Sequence, residues 1–266
     1  MVVETNKLTM ENNLIEYIPE TDSTNIELHR QTRNNASLPH GYCVITDYQH
    51  SGHGQANNSW ESERGKNILC SILLRPEAIA VADQFIITEI VSLAIRDTLQ
   101  DEITDEIEIK WPNDIYVGDR KICGILIENS VCGSTLSECV VGMGININQT
   151  TFLSDAPNPI SLQQISGNTH NRKAIIEKIH NSILTKYNNL ANDNDGLYHK
   201  ELDLSYRAKL YHRTGWHTYR RADEMDTFRA QIASIDSFGR LTLEHQNGTL
   251  ETFAFKEVVQ NIDHRM

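Results

Sequence analysis

The chain has 266 residues, 39% of them hydrophobic, with 24 Lys+Arg against 36 Asp+Glu and a formal net charge of -12. At ~100–200 residues per domain this is one large domain, or a large one with a small companion, and the apolar content suffices for a core, which excludes wholesale disorder. The acidic balance excludes a protein that wraps a nucleic-acid backbone, because neutralising phosphates takes clustered Lys and Arg; a small anionic ligand, which needs only a local positive site, stays open.

In chain order, Leu14–Ile18 and Tyr42–Thr46 read as short strands on either side of a polar helix from about Thr24 to Arg33. Thr24 and Glu27 fit a capping box at the start of that helix, whose free hydroxyls and N–H groups could equally hold a polar ligand head. Asn67–Leu74 is a continuous apolar run suited to a buried strand, and Ile86, Ile90, Leu93 and Ile95 recur at helical spacing within Asp83–Leu99. Extended segments follow at Ile107–Trp111, at Ile115–Val117 joined through Gly118-Asp119 to Ile122–Glu128, and at Leu136–Ile147. Asn148–Pro159 has loop composition; Lys173–Leu190 returns to helical spacing, with a second helix to about Tyr211. Beyond Arg213 the texture changes to the closely spaced strands Thr227–Ile235, Leu241–His245 and Leu250–Phe255, which predict a small barrel or sandwich and a boundary near Tyr211–Gly215. The five cysteines form no CxxC pair and mostly lie in apolar runs, as buried free thiols of a reducing compartment do; with neither a signal-peptide layout nor an apolar run of ~20 residues, a soluble cytoplasmic protein away from membranes is expected.

Three segments carry candidate chemistry. Tyr48–Trp60 is a polar loop with Gly52 and Gly54, able to bring backbone N–H groups close to a phosphate or to close over a ligand, although an ordinary surface loop has the same composition. It is no Walker A sequence, and His50 and His53 lack the further ligands a zinc site needs. Lys110-Trp-Pro-Asn-Asp114 ends a strand with a cation, a large aromatic and two polar side chains, which suits a phosphate-bearing aromatic ligand or a structural Pro-Asn-Asp turn. Lys121, before the apolar Ile122–Glu128, reads as a neutraliser of carboxylate or phosphate or as a solvated edge lysine, and Asn146, inside an apolar alternation, needs a partner in either the ligand or the backbone.

Taken in order, Asp22-Ser-Thr-Asn25, the Gly-His-Gly loop ending in Asn58-Ser-Trp60, Lys110-Trp-Pro-Asn-Asp114 with Lys121-Ile-Cys-Gly-Ile-Leu-Ile-Glu128, and Gly142-Met-Gly-Ile-Asn146 resemble the biotin–protein ligases (biotin–[acetyl-CoA-carboxylase] ligases). The resemblance implies an α+β fold: a class II aminoacyl-tRNA synthetase-like mixed sheet flanked by helices (residues 1–212), followed by an SH3-like β-barrel (213–266). It implies ligation of biotin to a lysine of a biotin carboxyl carrier protein through biotinyl-5'-AMP, with Mg2+, ATP and biotin required. By the same resemblance Ser23, Thr24, Asn25 and Gln49 hold biotin, His53, Gly54 and Gln55 belong to the closing loop, and Trp60 packs near the adenine. Lys121 contacts biotin carboxyl and phosphate, Lys110 and Gln55 join it as catalytic candidates, and Asn113, Asp114 and Asn146 help place the nucleotide, leaving the metal ligands unassigned. Only about twenty residues precede Asp22, too few for the DNA-reading domain some members carry, so a monofunctional form, possible as a homodimer and without a nucleic-acid partner, is expected.

The loop departs from the commoner family pattern Gly-Arg-Gly-Arg-x-Gly: here it reads Gly52-His-Gly-Gln-Ala-Asn57. Neutral Gln55 supplies neither the charge nor the fork of an arginine, and a histidine, unlike arginine, carries no fixed charge. Compensation is expected from Lys110, Lys121, Arg64 or Lys66. A lipoate or octanoyl transferase and a non-enzymatic biotin-binding protein are the competing readings; the C-terminal barrel and Lys110–Asp114 speak against the first, and the replaced arginines motivate the second.

Overall fold

The structure is a computed structural model, and it describes residues 14–54, 59–154 and 158–260. Seven strands form a mixed sheet: β1 (Ile15–Ile18), β2 (Cys43–Thr46), β3 (Ile68–Leu74), β4 (Ile107–Lys110), β5 (Asp114–Val117), β6 (Arg120–Cys132) and β7 (Thr135–Ile145), in the spatial order β1-β2-β3-β7-β6-β5-β4. Only β1 and β2 run parallel, since α1 (Thr24–Asn34) carries the chain across between them; the other neighbours are antiparallel.

Every residue of β3 is buried because both faces of the sheet are covered, and that explains its continuous apolar run. The period of two sorts its side chains. Cys70, Ile72 and Leu74 point into the main core, filled on that face by α2 (Phe85–Gln100), α4 (Arg172–Ala191) and α5 (Leu197–Ala208). Leu73 points the other way, with Val44 and Val140, to pack beneath Leu28 of α1. Ser71 has the parity of Leu73 and so lies under the first turn of α1, where the polar recess described below is built.

The hairpin expected at Gly118-Asp119 is a two-residue turn between Val117 and Arg120, with Gly118 at φ +55. Four of the five cysteines are buried and unpaired; Cys132, at the tip of the β6–β7 hairpin, is exposed. Three elements were not foreseen. The short α3 (Leu162–Ser166) is set by a capping box between Ser161 and Gln164. Strands β8 (His217–Arg221) and β12 (Val258–Gln260) join β9 (Thr227–Ile235), β10 (Leu241–His245) and β11 (Leu250–Phe253) in an antiparallel sheet of order β11-β10-β9-β8-β12. The capping box expected at Thr24 and Glu27 does not form. The N-cap is Ser23, the Thr24 hydroxyl turns instead toward Ser71 and Gln49, and Glu27 pairs with Arg30.

The second sheet is packed against the first body. Trp111 Nε1 donates to the Gly239 carbonyl at 2.9 Å, the Phe85 N–H donates to the Ser237 carbonyl, and Arg207 of α5 donates to the Ile235 carbonyl. Gly239, at φ +85, is also a position where a Cβ would overlap the Phe85 ring. Among the described residues no helix is long and apolar enough to cross a membrane.

Candidate active site

A cavity of about 480 Å³ opens where the first turn of α1, the loop after β2, strands β5 to β7 and the C-terminal sheet meet. It has a polar recess, an aromatic and glycine floor, and a cationic side.

The recess is built by α1 and β3. The Thr24 N–H donates to Gln49 Oε1 at 2.7 Å, so one of the helix's unsatisfied donors fixes the Gln49 amide. The Ser71 hydroxyl lies 2.7 Å from Thr24 Oγ1 and 2.5 Å from Asn25 Oδ1, while Asn25 Nδ2 donates to Glu128 Oε2 at 2.7 Å. Ser23, Thr24 and Asn25 are buried and the bonds to Ser71 are shielded, while Glu128 reaches the Asn25 amide from an exposed position; together the bonds hold the hydroxyls and amides in one orientation. Ser71 and Glu128 were not foreseen as parts of the site; the one signal for Ser71 was a lone hydroxyl within an otherwise apolar run.

The floor requires glycine. Trp60 lies across Gly124 of β6 and Gly144 of β7, which pair with each other in register; a Cβ on Gly124 would come 2.9 Å from the Trp60 ring, and one on Gly144 would overlap it. Trp60 Nε1 is buried without a hydrogen-bond partner among the described residues. The loop carrying it returns on itself through a bridge between His53 and Ser59 and a 2.9 Å bond from the Trp60 N–H to the Gly52 carbonyl. His53 and Gly54 line the cavity, whereas Gln55, one of the expected site residues, lies outside the described residues, as do 56–58.

The cationic side comes from β4 to β6. Lys121 Nζ pairs with Asp114 Oδ1 at 2.7 Å and stands 5.7 Å from the Trp60 ring centre. Lys110 Nζ sits 4.7 Å over the Tyr116 ring and 5.8 Å from that of Tyr211. Its burial depresses the ammonium below the ordinary lysine value, Asp114 opposes that effect, and Lys121 adds to it. Asn113 lines the cavity while its amide donates to the Ile125 carbonyl, which ties the turn after Trp111 to the floor strand. Asn146 is buried but does not line the cavity; its backbone bridges Ile122 and Leu162, and its Oδ1 has no partner among the described residues. Of the cations expected to replace the loop arginines, Lys110 and Lys121 reach the cavity. Arg64 does not: it pairs with Glu20 and covers the Tyr48 ring, and Lys66 is exposed elsewhere.

The opposite wall, absent from the sequence-based expectation, consists of residues of the C-terminal sheet, including Tyr219, Phe255, Lys256 and Val258. The whole can hold a small ligand with a hydrogen-bonding head in the recess and an anionic end among the lysines, beside a second, aromatic and anionic ligand. No group of three or more His, Cys, Asp or Glu able to hold a metal occurs among the described residues.

Residues 17–146, the part that builds recess, floor and cationic side, match the model of the Biotin/lipoate A/B protein ligase family. The chain is 29% identical over 238 residues to the bifunctional ligase/repressor BirA of Bacillus spizizenii, covering 87% of this chain and 70% of that protein. It is 30% identical over 132 residues to the biotin–[acetyl-CoA-carboxylase] ligase of Paracoccus denitrificans, covering 49% of this chain and 53% of the relative. Its fold matches the biotin protein ligase of Aquifex aeolicus solved with biotin and ATP, with a TM-score of 0.74 at 20% identity, over 93% of this chain and 99% of the other. Over residues 17–146, just under half of the chain, it is thus similar to the Biotin/lipoate A/B protein ligase family, and over most of its length to ligases of that kind.

Proposed function

We propose that the protein ligates biotin to a lysine of a biotin carboxyl carrier domain, in two steps through biotinyl-5'-AMP. The observation that carries this reading is the pairing of a rigid polar recess with two lysines in one cavity: the recess suits the uncharged ureido head of biotin, and Lys121 and Lys110 suit its carboxylate and the α-phosphate of ATP. The relatives' ligase activities and the biotin and ATP bound to the A. aeolicus enzyme support it.

In the first step a carboxylate oxygen of biotin attacks the α-phosphorus, the bond from that phosphorus to the bridging oxygen breaks, and pyrophosphate leaves. A poor electrophile thereby gains a good leaving group. The recess holds biotin by Thr24, Asn25 and Gln49; Lys121 lies between the two anions, so that its charge offsets their repulsion as they approach. When the anions bind, Lys121 exchanges its contact with Asp114 for contacts with them. In the second step the uncharged lysine amine of the carrier attacks the acyl carbon, AMP leaves, and the amine proton passes to solvent. Mg2+ would enter with ATP and would supply charge neutralisation on the phosphates; Asp114, the carboxylate among the described residues of the cavity lining, would hold it.

Trp60, Asn113 and Asp114 belong by this reading to the nucleotide side, and Asn146 supports it from behind. The chain is taken to divide at residues 212 and 213 into a catalytic domain and an SH3-like domain, and the free thiols suit a reducing cytoplasm. A lipoate or octanoyl transferase would share the recess. Thermal shifts separate the two: a ligand that binds only the folded state raises its stability, so biotin should stabilise the chain and lipoate should not. Stabilisation by lipoate alone would overturn the proposal.

A further inference from the structure

The wall contributed by the C-terminal sheet contains one residue in an unfavourable backbone conformation. Lys256 lies in the turn between β11 and β12 at φ +71, a left-handed region that glycine enters freely and that sets a lysine's Cβ against the neighbouring carbonyl. The turn is well fixed. The Glu257 N–H donates to the Ala254 carbonyl at 3.1 Å, and the Ala254 N–H donates to Glu257 Oε2 at 2.7 Å. It holds Phe255 edge-on to Trp111 at 6.2 Å between ring centres, so the turn is docked on the segment that carries Lys110, Asn113 and Asp114.

Three lysines line the cavity among the described residues, and their charges are not equally available. Lys121 is engaged with Asp114, and Lys110 is half-buried over two tyrosine rings with its charged form disfavoured. Lys256 is exposed, makes no ion pair with a described residue, and has its Nζ 5.4 Å from the centre of the Phe255 ring. A free ammonium on a fixed turn, facing a cavity whose loop lacks both arginines, is placed for a polyanion that the other two lysines do not fully neutralise.

We propose that Lys256 binds the β- and γ-phosphates of ATP, a contribution of the C-terminal sheet that replaces charge missing from the loop. The inference rests on the reading of the cavity as an adenylation site. Negative charge builds on the bridging oxygen as pyrophosphate departs, and a cation on the β- and γ-phosphates stabilises that charge without touching AMP or biotin. Lys256 is therefore a residue for ATP and pyrophosphate specifically.

The test is calorimetric titration of the full chain with MgATP, AMP and biotin, for the parent, Lys256→Gly and Lys256→Arg. Glycine suits φ +71, so the first variant keeps its melting temperature or gains on it. Removal of one charge-assisted contact should weaken ATP binding ~10-fold or more and raise KM for ATP, with AMP and biotin affinities unchanged; arginine should retain ATP binding to within ~3-fold. Parental ATP affinity in Lys256→Gly, an equal loss for AMP, or an arginine variant as weak as the glycine one would overturn the inference alone. A parent chain that binds biotin but not ATP would overturn the adenylation reading as well.

Discussion

Replacing Gly142 by alanine sets a methyl group against the Asn25 amide. A Cβ at Gly142 would overlap Asn25 Oδ1 and lie 2.9 Å from Cγ and 3.0 Å from Nδ2. The amide cannot swing aside freely, because Ser71 holds its oxygen at 2.5 Å, Glu128 holds its nitrogen at 2.7 Å, and the residue is buried. Loss of one neutral and one charge-assisted bond costs about 2–4 kcal/mol, and the lower chain entropy of alanine offsets about 0.5–1 of this. The net, about 1.5–3 kcal/mol, corresponds to a fall in Tm of roughly 4–10 °C for a chain of this size. Biotin affinity should fall with it, since Asn25 is displaced. The assay is a double-mutant cycle by thermal melting with and without biotin. Asn25→Ala makes room for the methyl, so the double variant should lose clearly less stability than the sum of the single ones. Strict additivity, or a Gly142→Ala variant with parental Tm and biotin affinity, would refute the reasoning about the recess.

Lys121→Ala should lower the rate of biotin-dependent pyrophosphate release ~10- to 100-fold, the worth of one charge-assisted contact, while Lys66→Ala, outside the cavity, leaves it unchanged; equal rates would count against the role of Lys121. Burial, reinforced by the neighbouring Asp203 charge, raises the Glu89 carboxyl from 4.5 to about 8. The folded chain then keeps a proton that the unfolded chain releases, so this stability is present below pH 4.5 and is lost as pH rises through about 8. Glu89→Gln should therefore be more stable than the parent by a few kcal/mol near pH 8, with a flatter Tm profile between pH 5 and 9, and an unchanged profile would contradict this. His53→Arg combined with Gln55→Arg should slow release of the adenylate ~10-fold by adding charged forks to the loop. Activity in that variant from an inactive parent would favour the non-enzymatic alternative.

The order and type of the longer elements could be read from the sequence because they bury one face at a clear period, as α2 does, or both, as β3 does. The elements that escaped have too little apolar pattern to read. β8 is His-Thr-Tyr-Arg-Arg with only Tyr219 buried, and β12 is three residues long. The expected capping box failed for another reason: the Thr24 hydroxyl is engaged in the recess, donating to Gln49 and accepting from Ser71, instead of at its own helix end. In the site, Ser23, Thr24, Asn25, Gln49, Trp60, Lys110, Asn113, Asp114 and Lys121 were singled out on motif, and the fold brings them into one cavity. Glu128, Ser71 and Lys256 could not be placed that way. Their positions depend on which strand parity faces α1 and on how the second sheet docks, which are properties of tertiary packing.

The central claim is acyl transfer through an adenylate, and incubation of the full chain with biotin, MgATP and an isolated biotin carboxyl carrier domain tests it most directly. Intact-mass analysis of the carrier should show one added biotinyl group on a single lysine, with pyrophosphate released in equal amount and no product when ATP is omitted. An unmodified carrier, together with biotin binding and no pyrophosphate, would contradict the account.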